Sequence, residues 1–151
     1  MQHSSYLESK VLTAPPQRLH LMLIEGAIRF GRQAEEALRR GERTAAAAPL
    51  LRAIDIVSEL LASVRANKSE LNKQIANVYW FMLRRIYEAK INADVNALAE
   101  ALRLLEYERE TWQMLCDKLS SGTQAGAPVP HTSAFVGGRA NGAKAGFSLE
   151  A

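Results

Sequence analysis

The sequence is poor in the residues from which reactive centres are built. It holds one cysteine, Cys116, in 151 residues, which excludes an internal disulfide and every multi-cysteine zinc site. Its three histidines are His3, His20 and His131. A carboxylate-bridged metal pair in a helical bundle needs Glu-x-x-His on two helices, and no histidine here stands three residues after a glutamate. Catalysis of the Ser–His–Asp or Cys–His type needs a rigidly held histidine, and only His20 falls in a predicted helix. No phosphate cradle of the GxxxxGK[ST] or GxGxxG type occurs. Charge of one sign never accumulates: the net charge is +3 with acidic and basic residues interleaved, too weak a field to indicate nucleic acid. No apolar run approaches the length of a membrane span, and the first twenty residues lack a signal-peptide core. These absences predict a soluble cytoplasmic chain with no catalytic set, no metal, no cofactor and no membrane insertion.

What is present is amphipathic helix. Apolar residues are 48% and charged residues 23%, ordinary for a globular chain, and the length suits one domain. The stretch TAPPQRLHLMLIEGAIRF, residues 13–30, starts the first helix. Pro15 and Pro16 suit a first turn, where a missing N–H costs nothing. Leu19, Leu23, Ala27, Phe30, Ala34 and Leu38 then step by threes and fours as one stripe, and Leu21, Ile24 and Ile28 form a second on nearly the opposite side. A bundle helix needs one apolar face. The surplus face predicts a partner beyond the helix's own chain.

The first helix is predicted over residues 16–40, ended by Gly41 at a left-handed cap. Residues 42–49 form the connection, with alanines that can already belong to the second helix, which runs to about residue 66. Leu50, Ile54, Val57, Leu61 and Val64 make its seam, widened on one flank by Ile56 and Leu60. The third helix spans residues 70–91, with Leu71, Ile75, Val78, Met82, Ile86 and Ala89 as seam and Tyr79 and Leu83 beside it. Trp80 and Tyr87 share a face ~140° from that seam at ~100° per residue. They are either a partner site or ordinary packing against a neighbouring helix. Asp94 is the predicted N-cap of the fourth helix, whose seam is Leu98, Leu102, Leu105, Trp112, Cys116 and Leu119. Cys116 on that seam reads as a small core hydrophobe.

Four such helices with short loops predict an all-α, antiparallel up-down four-helix bundle over residues 16–120. Residues 1–15 form a short N-terminal arm carrying Tyr6, Leu7 and Val11, which either packs on the bundle or acts as a lid over an apolar groove. Residues 121–151 hold six of the nine glycines and two of the five prolines. Without period or many large apolar groups, they read as a flexible tail. Phe135, Val136, Phe147 and Leu149 are its sparse anchors. His20 raises a remote phosphotransfer reading, but its neighbours are apolar and Glu25 stands where a lysine would help. The residues point to an interaction protein, its occupant an amphipathic or coupled-folding peptide, with self-association into a homodimer as the alternative.

Tyr6 followed by Thr13, Ala14, Pro16, Leu19, Met22, Leu23, Gly26 and Ala27 resembles the N-terminal signature of the FliS family of flagellar export chaperones. The runs AIDIVSEL (residues 53–60) and VYWFMLRRIYEA (residues 78–89), with Asp94 and Trp112, are similar to that family's later helices. The likeness covers residues 6–119. Ile24 stands where an aromatic is usual, Trp80 where a polar residue is usual, Lys90 where an asparagine is common, and the tail is longer than most. The resemblance implies a cytoplasmic, non-enzymatic chaperone. It would bind the C-terminal segment of flagellin, prevent its premature polymerisation and deliver it to the flagellar export apparatus. The expected contacts are Leu21, Ile24, Ile28, Ile56, Leu60, Trp80, Leu83 and Tyr87, with Tyr6, Leu7 and Val11 as the lid.

Overall fold

The computed structural model describes residues 16–125, all of them in four helices and the short turns between them. Helix α1 is Pro16–Arg39, α2 is Arg43–Arg65, α3 is Glu70–Asn92 and α4 is Val95–Ala125. Each helix packs against the next, and α4 returns to α1, so consecutive antiparallel helices close a four-helix bundle as expected.

The local chemistry explains the turns. Helix α1 ends on Gly41 at φ +75°. Glu42 N–H bonds to Ala37 O and Gly41 N–H to Leu38 O, both at 2.9 Å, which completes a Schellman motif. Ser69 Oγ caps α3 by accepting from Asn72 N–H at 3.1 Å. Asp94 Oδ1 caps α4, accepting from Asn96 and Ala97 N–H at 3.0 and 3.1 Å. Two boundaries differ from expectation. Helix α2 starts at Arg43 and carries Pro49 inside it, because Ala46, Leu50 and Ala53 are buried and tertiary packing outweighs one lost backbone bond. Helix α4 continues to Ala125, into the stretch predicted to be tail. Of residues 121–151, those from 126 onward lie outside the described residues, as does the arm over residues 1–15.

The core contains the predicted seams of α2 and α4 almost entirely: Leu50, Ile54, Val57, Leu61 and Val64, and Leu98, Leu102, Leu105, Trp112 and Cys116. Helix α1 is turned from its predicted orientation. Its buried line is His20, Leu21, Ile24, Ala27, Gly31, Ala34 and Ala37, whereas Leu23, Phe30 and Leu38 flank the core half-buried. The small residues decide this. A Cβ on Gly31 would lie 2.6 Å from Leu102 Cδ2, so α4 lies against α1 where side-chain bulk is least. Helix α3 is turned in the same way: Asn72, Ala76, Tyr79, Met82, Leu83, Ile86 and Ala89 are buried, and Val78, predicted on the seam, is exposed.

Candidate functional site

The predicted contact residues divide by burial. Leu21, Ile24 and Leu60 have no exposed surface and Leu83 almost none. These four are core residues in this structure, a correction to the sequence expectation. Ile28 and Ile56 are half-buried against the core. Ile56 faces α1, where its Cδ1 would stand 3.4 Å from a Cβ on Gly26. Only Trp80 and Tyr87, at 45% and 44% exposure, present a surface. Tyr6, Leu7 and Val11 lie outside the described residues.

The apolar excess exists, but on other helices. Among the described residues the large exposed apolar side chains are Leu51, Val78, Trp80, Phe81, Tyr87, Ile91, Tyr107 and Met114. None is on α1, and they fall into two stripes on either side of α3. Trp80, Tyr87 and Ile91 step by seven and four along the flank of α3 that also carries Leu83 and Asn72. Asn72 Nδ2 donates to Val64 O of α2 at 3.0 Å, so this flank borders α2. Leu51 lies ~140° around α2 from Ile56, at ~100° per residue, on the side away from α1. The first stripe is therefore Leu51, Trp80, Tyr87 and Ile91, along α2 and α3.

Val78, Phe81 and Arg85 step by three and four on the other flank of α3. Arg85 Nε donates to Glu100 of α4 at 2.6 Å, and Arg85 also pairs with Glu88. Glu100, Tyr107 and Met114 follow at steps of seven on α4, so Tyr107 and Met114 share the α3-facing line that Glu100 marks. The second stripe is Val78, Phe81, Tyr107 and Met114, with Leu104 and Leu115 half-buried beneath it. The sequence reading missed this stripe. Its only signal was Tyr107 and Met114 standing off the α4 seam at a spacing of seven. A depression of about 650 Å³ at the α2–α3 turn is lined by polar groups, among them Arg65, Lys68, Lys73 and Asn77, and belongs to neither stripe.

The phosphotransfer reading of His20 fails on geometry. His20 is buried, not solvated at a helix start. Its ring stacks on Trp112 with centroids 4.0 Å apart, and Nε2 lies 3.0 Å from the Tyr79 hydroxyl. Tyr79 donates its one proton to Glu108 Oε1 at 3.1 Å, so its oxygen accepts from an Nε2–H imidazole. Burial pulls the His20 pKa down from 6.5 to about 4. Burial also pushes Glu108 above the usual carboxylate range, against the hydrogen bonds from Tyr79 and Trp112. The phenol of Tyr79 is raised well above its ordinary value by burial and by Glu108. This network ties α1, α3 and α4 together through the interior and engages Nε2 of a buried imidazole, not one presented on an open helix face for phosphoryl transfer. Cys116 is buried, its thiol pushed up by burial, so it supplies no thiolate. Among the described residues no three metal-binding side chains gather, and no helix is long and apolar enough to cross a membrane.

Comparison with known proteins adds a family to this geometry. Residues 1–119 match the family described as "Flagellar protein FliS". The Bacillus subtilis protein "Flagellar secretion chaperone FliS" is 31% identical over 74% of this chain and 83% of its own length. The protein of the same name from Salmonella typhimurium is 31% identical over 76% of this chain and 86% of its length. The Escherichia coli one is 28% identical over 71% and 80%.

Proposed function

Since the chain belongs to the FliS family of flagellar proteins, we propose that it is a flagellar secretion chaperone, not an enzyme, whose client is the C-terminal segment of flagellin. It holds that segment in the cytoplasm, keeps it from polymerising early and passes it to the export apparatus. The observation that carries this reading is the gathering of exposed apolar side chains into two stripes along α2, α3 and α4. Scattered exposed apolar residues need no explanation, but contiguous ones mark a docking surface. Two stripes on opposite flanks of α3 suit an amphipathic chain that is unfolded when free, lays its apolar side on a groove and orders as it binds. Trp80 and Tyr87 remain proposed contacts from the sequence reading. Leu51, Ile91, Val78, Phe81, Tyr107 and Met114 join them.

Trp80→Ala tests the reading. Burying a large side chain is worth ~1.5–3 kcal/mol, so affinity for a flagellin C-terminal peptide should fall by roughly tenfold to a hundredfold. Because Trp80 is 45% exposed, helical circular dichroism and the melting midpoint should hardly change. Unaltered affinity would remove Trp80 from the site. Sedimentation with and without the peptide addresses homodimerisation, which would cover the same stripes. A stable dimer indifferent to the peptide would favour self-association over the chaperone.

A further inference from the structure

We infer that the α2–α3 face is a lane with a direction: a helical segment laid along its Leu51, Trp80, Tyr87 and Ile91 stripe puts its C-terminal carboxylate into the basic depression at the α2–α3 turn. This deepens the client reading and rests on it, since it names which end of that client lies where.

The depression adds no apolar surface, but it stands at the end of the stripe's own lines. On α3, Lys73, Trp80 and Tyr87 fall at steps of seven, with Ile91 four residues on, so the lysine shares a line with the exposed aromatics. On α2, Leu51, Ser58 and Arg65 fall at the same steps. Two cross-links set the level of these antiparallel helices. Asn72 Nδ2 donates to Val64 O at 3.0 Å, and Arg43 donates to Ile91 O at 2.9 Å. Leu51 therefore lies level with the α3 turn between Trp80 and Tyr87, and Arg65 lies beside the first turn of α3. Both lines run from apolar to cationic in the same direction. From Ile91 back to Lys73 is roughly 27 Å at 1.5 Å per residue, a length that roughly five turns of a bound helix would match.

The occupant follows from charge. Arg65, Lys68 and Lys73 line the depression against a single acid, Glu70, so three cations less one carboxylate leave +2 there, on a chain whose net charge is +3. Glu70 meets Lys73 at 3.7 Å, and among the described residues no ion pair engages Arg65 or Lys68. Asn67 accepts from Ser69 N–H through Oδ1 at 3.1 Å, which leaves its NH2 group to donate. Guanidinium, ammonium and amide donors together suit a carboxylate. The C-terminal end of a helix carries the unsatisfied carbonyls and the negative end of the dipole, and a chain terminus adds its own carboxylate. The N-terminal end carries the opposite sign and would meet like charge. The bound helix therefore runs parallel to α2 and antiparallel to α3. An exposed pair of this kind adds little affinity, so the depression orients the segment that the stripe holds.

The test uses the full-length protein and a flagellin C-terminal peptide, labelled at its N-terminus, made once with a free C-terminal carboxylate and once with a C-terminal amide. Fluorescence anisotropy at about 0.1 M salt should show the amide binding about threefold more weakly, within the range of an exposed ion pair. That preference should vanish when Arg65→Gln and Lys68→Gln are introduced together. It should persist with Arg18→Gln and Arg52→Gln, which remove the same charge from exposed positions off the lane. Circular dichroism checks that the helices persist in both variants. A benzophenone at the peptide's penultimate residue should form adducts within residues 65–77. Equal affinity for the two peptides, a preference that survives Arg65→Gln with Lys68→Gln or is lost in both variants, or adducts around Leu51 and Ile91 would overturn the inference and leave the flagellin reading standing. Failure of the parent to bind either peptide would overturn that reading, and this inference with it.

Discussion

His20 sits inside the bundle as a neutral imidazole, between the Trp112 ring and the Tyr79 hydroxyl. That setting makes its contribution to stability depend on pH in a direction the structure fixes. Its pKa falls from 6.5 to about 4 on folding, so between those values the unfolded chain binds the proton and the folded chain does not. Stability attributable to His20 is therefore complete above pH 6.5 and is lost as pH falls to about 4, by at most about 3 kcal/mol. Glu108 acts in the opposite sense. Burial holds its carboxyl above the usual range, so the folded state takes up a proton before the unfolded one, and acid relieves the cost of a buried charge. Tyr79, raised far above neutrality, stays protonated throughout. Urea midpoints measured from pH 7 to pH 4 should fall less steeply in His20→Gln than in the parent and more steeply in Glu108→Gln. An unchanged slope in His20→Gln would show that the acid limb belongs to other groups, such as Glu106, whose carboxyl is held low by Arg32 and Arg109 against the opposing effect of its burial.

Among the elements, α1 shows best what small residues do. Gly26 and Gly31 both sit buried within it, yet they should respond oppositely to an added methyl. A Cβ at Gly26 would meet Ile56 Cδ1 at 3.4 Å, an ordinary contact, whereas at Gly31 it would meet Leu102 Cδ2 at 2.6 Å. Leu102 is itself buried and has little room to yield. Gly26→Ala should gain up to about 1 kcal/mol from helix propensity. Gly31→Ala should lose about 1–2 kcal/mol net, because overpacking outweighs that gain; urea denaturation of the two variants reads both signs. The same contrast explains what the sequence revealed. Helix number, order and caps were legible, because Gly41, Ser69 and Asp94 carry their signals locally. The seams of α2 and α4 were legible because large aliphatic residues define them. Helices α1 and α3 were read about a sixth of a turn off, at ~100° per residue, since their buried lines include Gly31, Ala37, Asn72 and Ala76, which a pattern of large apolar residues passes over. Nothing in a one-dimensional pattern tells that Asn72 satisfies the Val64 carbonyl or that Tyr79 finds His20 and Glu108. The candidate site inherited that error: on α1 Leu21 and Ile24 are core, and the large exposed apolar side chains among the described residues lie on α2, α3 and α4.

At the scale of the whole molecule, charge and apolar surface are arranged differently, and that difference predicts how a client is held. The net charge is only +3, and many surface charges already have partners within the bundle. Arg32 bridges Glu35 and Glu106, Arg39 joins Glu35, and Arg85 is shared by Glu88 and Glu100 beside the second stripe. Exposed pairs of this kind add little stability, but they leave little unbalanced field to attract a charged segment. The apolar residues, by contrast, are gathered and unpaired. Binding of a flagellin C-terminal peptide should then carry the marks of apolar burial. Calorimetry over a range of temperatures should give a clearly negative heat-capacity change. Raising salt from about 0.1 to 1 M, which shortens the Debye length from ~10 to ~3 Å, should shift affinity by much less than tenfold, or about 1.4 kcal/mol. If affinity instead collapses with salt while the heat-capacity change stays near zero, the stripes are not what holds the client. The basic depression around Arg65, Lys68 and Lys73 would then become the surface to mutate.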